Sequence, residues 1–196
     1  MSVSRAHKSP ILAPMLILLP PSEKKAANPG PAITVYTGVL YAALDWHNLN
    51  KAGQKRGLSS IVIISAKYGL VRPLDEIGPY KEKINTKRMR KPISAELDAL
   101  DADLIIDCRS STYQGVWTPP VYKCVEIKIF TYVDGVKKTI THMSKKTRGE
   151  VTRLLLQSKT VPTTPQELCE IVSTQFECLL IEYSGNTPWV LEVIAQ

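Results

Sequence analysis

The sequence predicts an α/β fold with some α+β character: a single domain on a central, mixed and mostly buried sheet, with helices packed around it and two hairpins. Three observations predict it. Short apolar runs recur at 15–19, 60–65 and 103–107, as strands covered on both faces do. Between and after them lie segments whose apolar residues fall at helical spacing. Two turn signals, Asp134-Gly135 and Gly185-Asn186, sit between strand-like runs, so part of the sheet is antiparallel. The chain has 196 residues, long enough for one sizeable core. With 44% hydrophobic and 22% charged residues, it is not composed like a disordered chain.

The elements are read in order. Residues 1–14 form an N-terminal extension without a pattern of its own, and 15–196 form the domain. The apolar stretch from Ile11 to Leu19 is too short to span a bilayer and contains Pro14. It ends in Pro20-Pro21 rather than in a small-residue cleavage site, so a first buried strand and a cytoplasmic protein are expected. A helix is expected over 35–46, with Val39, Leu40, Ala43 and Leu44 on one face. A polar linker follows at 51–59 and a strongly basic one at 81–91. Ser94 is expected to cap a helix over 95–100. The run 125–132 alternates, Val125, Ile127 and Ile129 against Glu126 and Lys128, so one face of that strand is wetter. Its hairpin partner is expected over 136–142. Ser144 is expected to cap a helix over 145–157, with Val151, Leu154 and Leu155 inward. Thr164, Pro165 and Glu167 start another helix through Leu168, Ile171 and Val172. A late hairpin pairs 177–183 with 188–194.

Charge narrows the partners. Lysine and arginine outnumber acids by 25 to 18, a net +7. That balance favours an anionic partner, DNA or a nucleotide or another phosphorylated small molecule, and no membrane span is expected. Cys108, Cys124, Cys169 and Cys178 are scattered, with no Cys-x-x-Cys pair, and His7, His47 and His142 lie far from them in sequence. No metal site is therefore expected, and the cysteines read as reduced thiols of a core.

Five polar clusters carry the candidate chemistry. The first is Pro20-Pro21-Ser22-Glu23-Lys24-Lys25, directly after the first strand. The second is Tyr36-Thr37-Gly38-Val39-Leu40-Tyr41. The third runs from Ser65 through Lys67, Tyr68, Gly69 and Arg72 to Tyr80. The fourth is Asp107-Cys108-Arg109-Ser110-Ser111-Thr112-Tyr113, and the fifth is His142-Met143-Ser144-Lys145-Lys146-Thr147-Arg148-Gly149. Clusters one, three and four each follow the carboxyl end of an expected strand, where open α/β sheets bind ligands. If those strands are neighbours, the clusters meet on one edge of the sheet. Arg109 beside Asp107 reads equally as an ion pair, and Arg72 as a turn anchor against Asp75. A helix starting at Ser144 beside Lys145, Lys146 and Arg148 would attract an anion by dipole and charge. The candidate phosphate or ligand binders are therefore Ser22, Lys24, Ser65, Lys67, Tyr68, Arg72, Tyr80, Arg109, Ser110, Tyr113, Ser144, Lys145, Lys146 and Arg148. Glu23, Asp107 and His142 are the candidate proton-transfer groups.

These five motifs, in this order, resemble the YaaA peroxide-stress proteins, especially their actinobacterial-type branch, over roughly 15–157. The resemblance implies a cytosolic α/β protein with a positively charged cleft, associated with DNA binding and with limiting oxidative damage linked to iron. It implies no settled reaction and no defined cofactor. Members of that family usually carry a helical insert with a helix-hairpin-helix element between the motifs at Ser22 and at Tyr36. Here only 24–35 separates them. Two function classes follow: a nucleic-acid-binding stress protein, or an enzyme on a nucleotide-like or other phosphorylated molecule that has lost the DNA grip.

Overall fold

The computed structural model describes residues 14–195. All of the N-terminal extension except Pro14 lies outside the described residues. In chain order the elements are β1 (Met15–Leu19), β2 (Gly30–Pro31), α1 (Ala32–Val35), α2 (Val39–Leu44), α3 (Lys51–Ser60), β3 (Ile61–Ser65), β4 (Gly69–Val71) and β5 (Glu76–Ile77). Then come α4 (Thr86–Asp98), β6 (Leu104–Asp107), α5 (Ser111–Gln114), β7 (Cys124–Val133), β8 (Val136–Lys138), α6 (Thr141–Gln157), α7 (Pro165–Ser173), β9 (Cys178–Ile181) and β10 (Trp189–Ile194).

Eight strands form the main sheet in the order β4-β3-β1-β6-β7-β10-β9, with β8 paired to β7. Five of them, β3-β1-β6-β7-β10, run parallel. The antiparallel members are β4, β8 and β9, so the mixed α/β sheet and both hairpins are present. β2 and β5 form a separate two-stranded ribbon. β1, β3 and β6 are buried along their whole length, which explains their unbroken apolar runs.

Alternation along β1 divides the core into two layers. Met15, Ile17 and Leu19 face α2, α6 and α7 through Leu40, Leu44, Val151, Leu155 and Leu168. Leu16 and Leu18 face α4 through Ile93 and Leu97, together with Trp117. The chain thus leaves β1 over one face and returns from β3 to β6 over the other. That makes β1 the topological switch of the sheet, and ligand crevices of open α/β folds form at the carboxyl ends beside such a strand.

Four elements differ from the sequence expectation. The helix expected over 35–46 is split into α1 and α2. Tyr36 takes an extended conformation and bridges Lys25, Ala26 N–H donates to Val35 O, and Thr37 N–H donates to Lys24 O. Pairing with the 24–26 segment removes those backbone groups from a continuous helix. The segment expected as a linker at 51–59 is α3. Asn50 Oδ1 accepts from Gly53 N–H at 2.7 Å, and the helix buries Gly53, Gly57 and Ser60. Gly57 leaves space for the ring of Trp46, which a side chain there would strike. Part of the basic linker is α4, capped by Asn85 rather than Ser94, while Ser94 Oγ donates to Val116 O. Finally, the strand expected over 136–142 stops at Lys138, and α6 begins at Thr141 with Ile140 in the capping position.

Candidate ligand site at the carboxyl edge of the sheet

β1 lies between β3 and β6, so the loops after all three strands leave from the same edge. Clusters one, three and four therefore meet. Around the ends of β1 and β3 they build a cluster of tyrosines, a serine and a lysine.

Its floor is a hydroxyl network. Ser65 Oγ, at the end of β3, donates to Tyr80 Oη at 2.9 Å. Tyr80 Oη lies 2.9 Å from Tyr36 Oη. Since Tyr80 already accepts from Ser65, its own hydrogen is free to point to Tyr36. Ser65 Oγ also accepts from Tyr68 N–H at 3.1 Å, which fixes the turn leading into β4. Tyr36 and Tyr80 are buried, 1% and 8% exposed. Tyr41 stacks on Tyr36 at 5.2 Å between ring centroids and donates to Pro20 O at 2.7 Å, tying α2 to the end of β1. Burial pushes the Tyr36 and Tyr41 phenols well above their ordinary value, so both are neutral hydrogen-bonding groups.

The cation of the cluster is Lys25. Its Nζ donates to Ser22 O at 2.7 Å and stands 4.0 Å from the Tyr80 ring centroid. Partial burial lowers its pKa, while Glu82 and then Glu23 act in the opposite direction. Ser22 Oγ donates to Lys24 O at 2.6 Å, closing the turn that turns Lys25 inward. A Cβ at position 38 would crowd Ser22 Oγ and push it out of this turn, which the glycine avoids. Around the rim, Tyr68 is 37% exposed, packs edge-on to Tyr80 at 5.7 Å and accepts from Gly78 N–H. Lys67 Nζ lies 3.8 Å from Glu82 and 5.3 Å from the Tyr68 ring centroid. Tyr113 is half-buried. Burial pushes its phenol up to about 12, with further contributions from Tyr80 and Glu23, which places all three in one electrostatic neighbourhood.

The end of β6 is organised differently. Asp107 accepts from Arg109 Nε at 2.9 Å and from Arg109 Nη2 at 2.8 Å, a two-pronged pair. Arg109 is 1% exposed, and two further hydrogens, one on each Nη, go to Tyr113 O and Trp117 O. Its guanidinium also lies against the Trp117 ring. Both residues are thus occupied by each other, which is the ion-pair reading of the sequence. Ser110 precedes α5, and its carbonyl accepts from Tyr113 and Gln114 N–H.

The other candidates lie apart from the tyrosine cluster or are engaged internally. β4 runs back antiparallel to β3, so Arg72 ends beside Ile61, the opposite end of β3 from Ser65. Four residues of strand put them about 13 Å apart. Its N–H donates to Asp75 Oδ2 at 2.8 Å, the expected turn anchor. Ser144 does not cap α6. It lies within the first turn, and its Oγ donates back to Ile140 O at 2.9 Å, because a serine inside a helix satisfies its hydroxyl on the carbonyl four residues earlier. Arg148 donates to Ile127 O, and Lys146 Nζ pairs with Glu150 at 3.1 Å. His142 and Lys145 are exposed on α6, and Lys24 is exposed where Lys25 turns in. Sequence reasoning chose Lys24 over Lys25 as a binder, and held Tyr36 and Tyr41 in its second cluster without counting them among the binders. The turn closed by Ser22 Oγ on Lys24 O leaves Lys24 exposed and brings Lys25 onto Ser22 O and the Tyr80 ring.

Among the described residues, no group of His, Cys, Asp and Glu could hold a metal ion, and no helix is long and apolar enough to cross a membrane. The fold and this edge define an α/β protein with its polar chemistry gathered beside the switch strand of a mostly parallel sheet. The sequence matches the family described as peroxide stress protein YaaA over residues 21–179, and the chain belongs to that family. It is similar to a UPF0246 protein of Streptomyces coelicolor, 30% identical over 88% of this chain and 72% of the relative. UPF0246 proteins of Corynebacterium efficiens and Ruegeria pomeroyi are 33% and 26% identical, each over 75% of this chain. This chain spans 63% of the length of each of those two relatives. The family carries a link to peroxide stress in its description. In this chain only β2 and α1 lie between the bridged residues Lys25 and Tyr36.

Proposed function

We propose that the carboxyl edge at β1 and β3 binds a small anionic ligand of the nucleotide type, with Lys25 meeting a phosphate and Tyr68, Tyr80 and Tyr113 bordering a planar base. The observation that carries this reading is the position of Lys25: a half-buried ammonium over the Tyr80 ring, beside the hydroxyl network of Ser65, Tyr80 and Tyr36. A partly desolvated cation interacts more strongly with an anion than a fully hydrated one does. Tyrosine faces and hydroxyls suit a ring with polar edges. Glu23 acts electrostatically on the Tyr113 phenol, and these two are the candidate proton-transfer groups if the ligand is turned over.

A second reading is supported by a different surface. Lys81, Lys83, Lys87, Arg88 and Lys91 are all exposed on and before α4. Such a surface suits the phosphate backbone of DNA without reading its sequence. The net charge of +7 supports both readings.

Titrations against a panel of nucleotides and against duplex DNA, at ~50 mM and ~200 mM salt, test them together. Saturable nucleotide binding that is lost in Lys25→Ala and kept in Lys146→Ala is the expected result. Nucleotide binding unchanged in Lys25→Ala overturns the site. DNA affinity that collapses between the two salt concentrations, with no nucleotide binding, replaces the first reading with the second.

A further inference from the structure

Cys169 and Cys178 stand outside the edge just described. Cys169 lies on α7 and Cys178 at the start of β9, the last strand of the sheet. Their sulfurs are 3.8 Å apart, and Cys178 Sγ is also 3.8 Å from Cys169 O. Both thiols are half-buried, unlike Cys108 and Cys124, which are fully enclosed.

The backbone on each side is anchored. α7 is pinned through Leu168 and Val172, both fully buried. Cys178 is registered against Val193, fully buried on β10. Two thiols on separate elements are therefore held in contact by packing that does not depend on them. The sulfurs need to close by about 1.8 Å to reach disulfide length, and the enclosed segment 169–178 runs from within α7 through a four-residue connection into β9, two elements already docked together.

We infer that Cys169 and Cys178 are a redox-responsive pair that closes to an intramolecular disulfide when a hydroperoxide is supplied. The first thiol attacks the peroxide; its sulfur gains an oxygen as sulfenic acid, the O–O bond breaks, and an alcohol or water leaves. The second sulfur then attacks the sulfenic sulfur; the S–S bond forms, the S–O bond breaks, and water leaves with the second thiol's proton. Two thiols lose two electrons in total, and the peroxide takes both. Burial and the adjoining Cys169 sulfur push the Cys178 thiol up, and trapping in the single Cys→Ser variants reads out which sulfur attacks first. The bond would lock α7 to the sheet edge.

The sequence supplies a clean assay. No lysine or arginine follows Lys159, so trypsin leaves both cysteines in one peptide. Cleavage after glutamate separates them, at Glu170 and Glu177 on one side and at Glu167 and Glu182 on the other. The full chain is treated with hydrogen peroxide, its remaining thiols are alkylated, and the non-reduced digest is weighed.

The expected product is a peptide 168–170 joined to 178–182, lighter by two hydrogens than the sum of its parts, with Cys108 and Cys124 still alkylated. Thermal unfolding of the oxidised chain shifts upward by roughly 5 °C, reversibly with reductant. In Cys178→Ser the cross-link disappears and Cys169 is trapped as sulfenic acid by a dione reagent. Four alkylated cysteines after treatment, oxidation of Cys169 or Cys178 without the link, or a link through Cys108, Cys124 or a second chain would each overturn the inference. The wild-type measurement decides the matter even if a variant fails to fold.

Discussion

Two neighbouring ends of one sheet use similar residues to opposite effect. At the end of β6, Asp107 and Arg109 are buried, paired to each other and sealed by the carbonyls of Tyr113 and Trp117. At the ends of β1 and β3, Lys25, Ser65, Tyr36 and Tyr80 are also tied together, yet Lys25 remains half-buried and Tyr68 reaches solvent. The first arrangement closes a strand end; the second keeps its hydroxyl network buried but leaves the Lys25 ammonium and the Tyr68 ring at the surface. Charged residues after a strand do not by themselves make a site. Each cation has a carboxylate two residues before it, and what separates the two is whether that carboxylate turns in: Asp107 is buried against Arg109, whereas Glu23 is exposed. Arg109 folds back on Asp107, while Lys25 has only carbonyls, rings and the more distant Glu82 and Glu23 around it.

The largest effect should come from breaking the closed end. Arg109→Ala leaves the Asp107 carboxylate buried without its partner, a loss of about 3–5 kcal/mol of stability measured by urea unfolding. A loss below about 1 kcal/mol would mean that water enters the β6 end and that the two strand ends are alike after all.

A smaller effect is expected at the open end. Tyr80→Phe removes one hydroxyl that serves both Ser65 and Tyr36, and should cost about 1–3 kcal/mol. The same variant should weaken nucleotide binding more than it weakens folding. An equal folding loss with full binding would make the network structural only.

Tyr113 joins the two ends, its carbonyl on Arg109 and its phenol near Tyr80, and gives the smallest, pH-dependent effect. Its phenol is raised from the ordinary 10.0 to about 12, so the folded state favours the neutral form. That contribution is complete below pH 10 and is lost as pH rises toward 12. Stability followed across that window should fall less steeply in Tyr113→Phe than in the wild type. Identical slopes would show that Tyr113 is solvated in the folded chain.

The sequence showed the strands more clearly than the helices, and particular residues explain why. β1, β3 and β6 are covered on both faces, so their apolar runs are unbroken. α3 hides its buried face in Gly53, Gly57 and Ser60, which form no apolar stripe and read as a linker. The start of α6 was misplaced because Ser144 has a capping residue's chemistry and uses it within its own helix. At the candidate site, Ser22, Ser65, Lys67, Tyr68, Tyr80, Tyr113 and Glu23 were legible from their place after strands. Arg72 belonged to the same run, but the hairpin of β4 carries it to the other end of β3.

By itself the sequence determined the mixed sheet, the hairpins at Asp134-Gly135 and Gly185-Asn186, and the polar loops that follow its strands. Those follow from local periodicity and turn chemistry, which act over a few residues. Only the tertiary structure decided that Lys25 rather than Lys24 turns inward, that Tyr36 and Tyr80 meet across 44 residues, and that Cys169 touches Cys178. Each of those depends on how separate elements pack. Sequence spacing carries no record of the distance between two side chains that the core, rather than the chain, brings together.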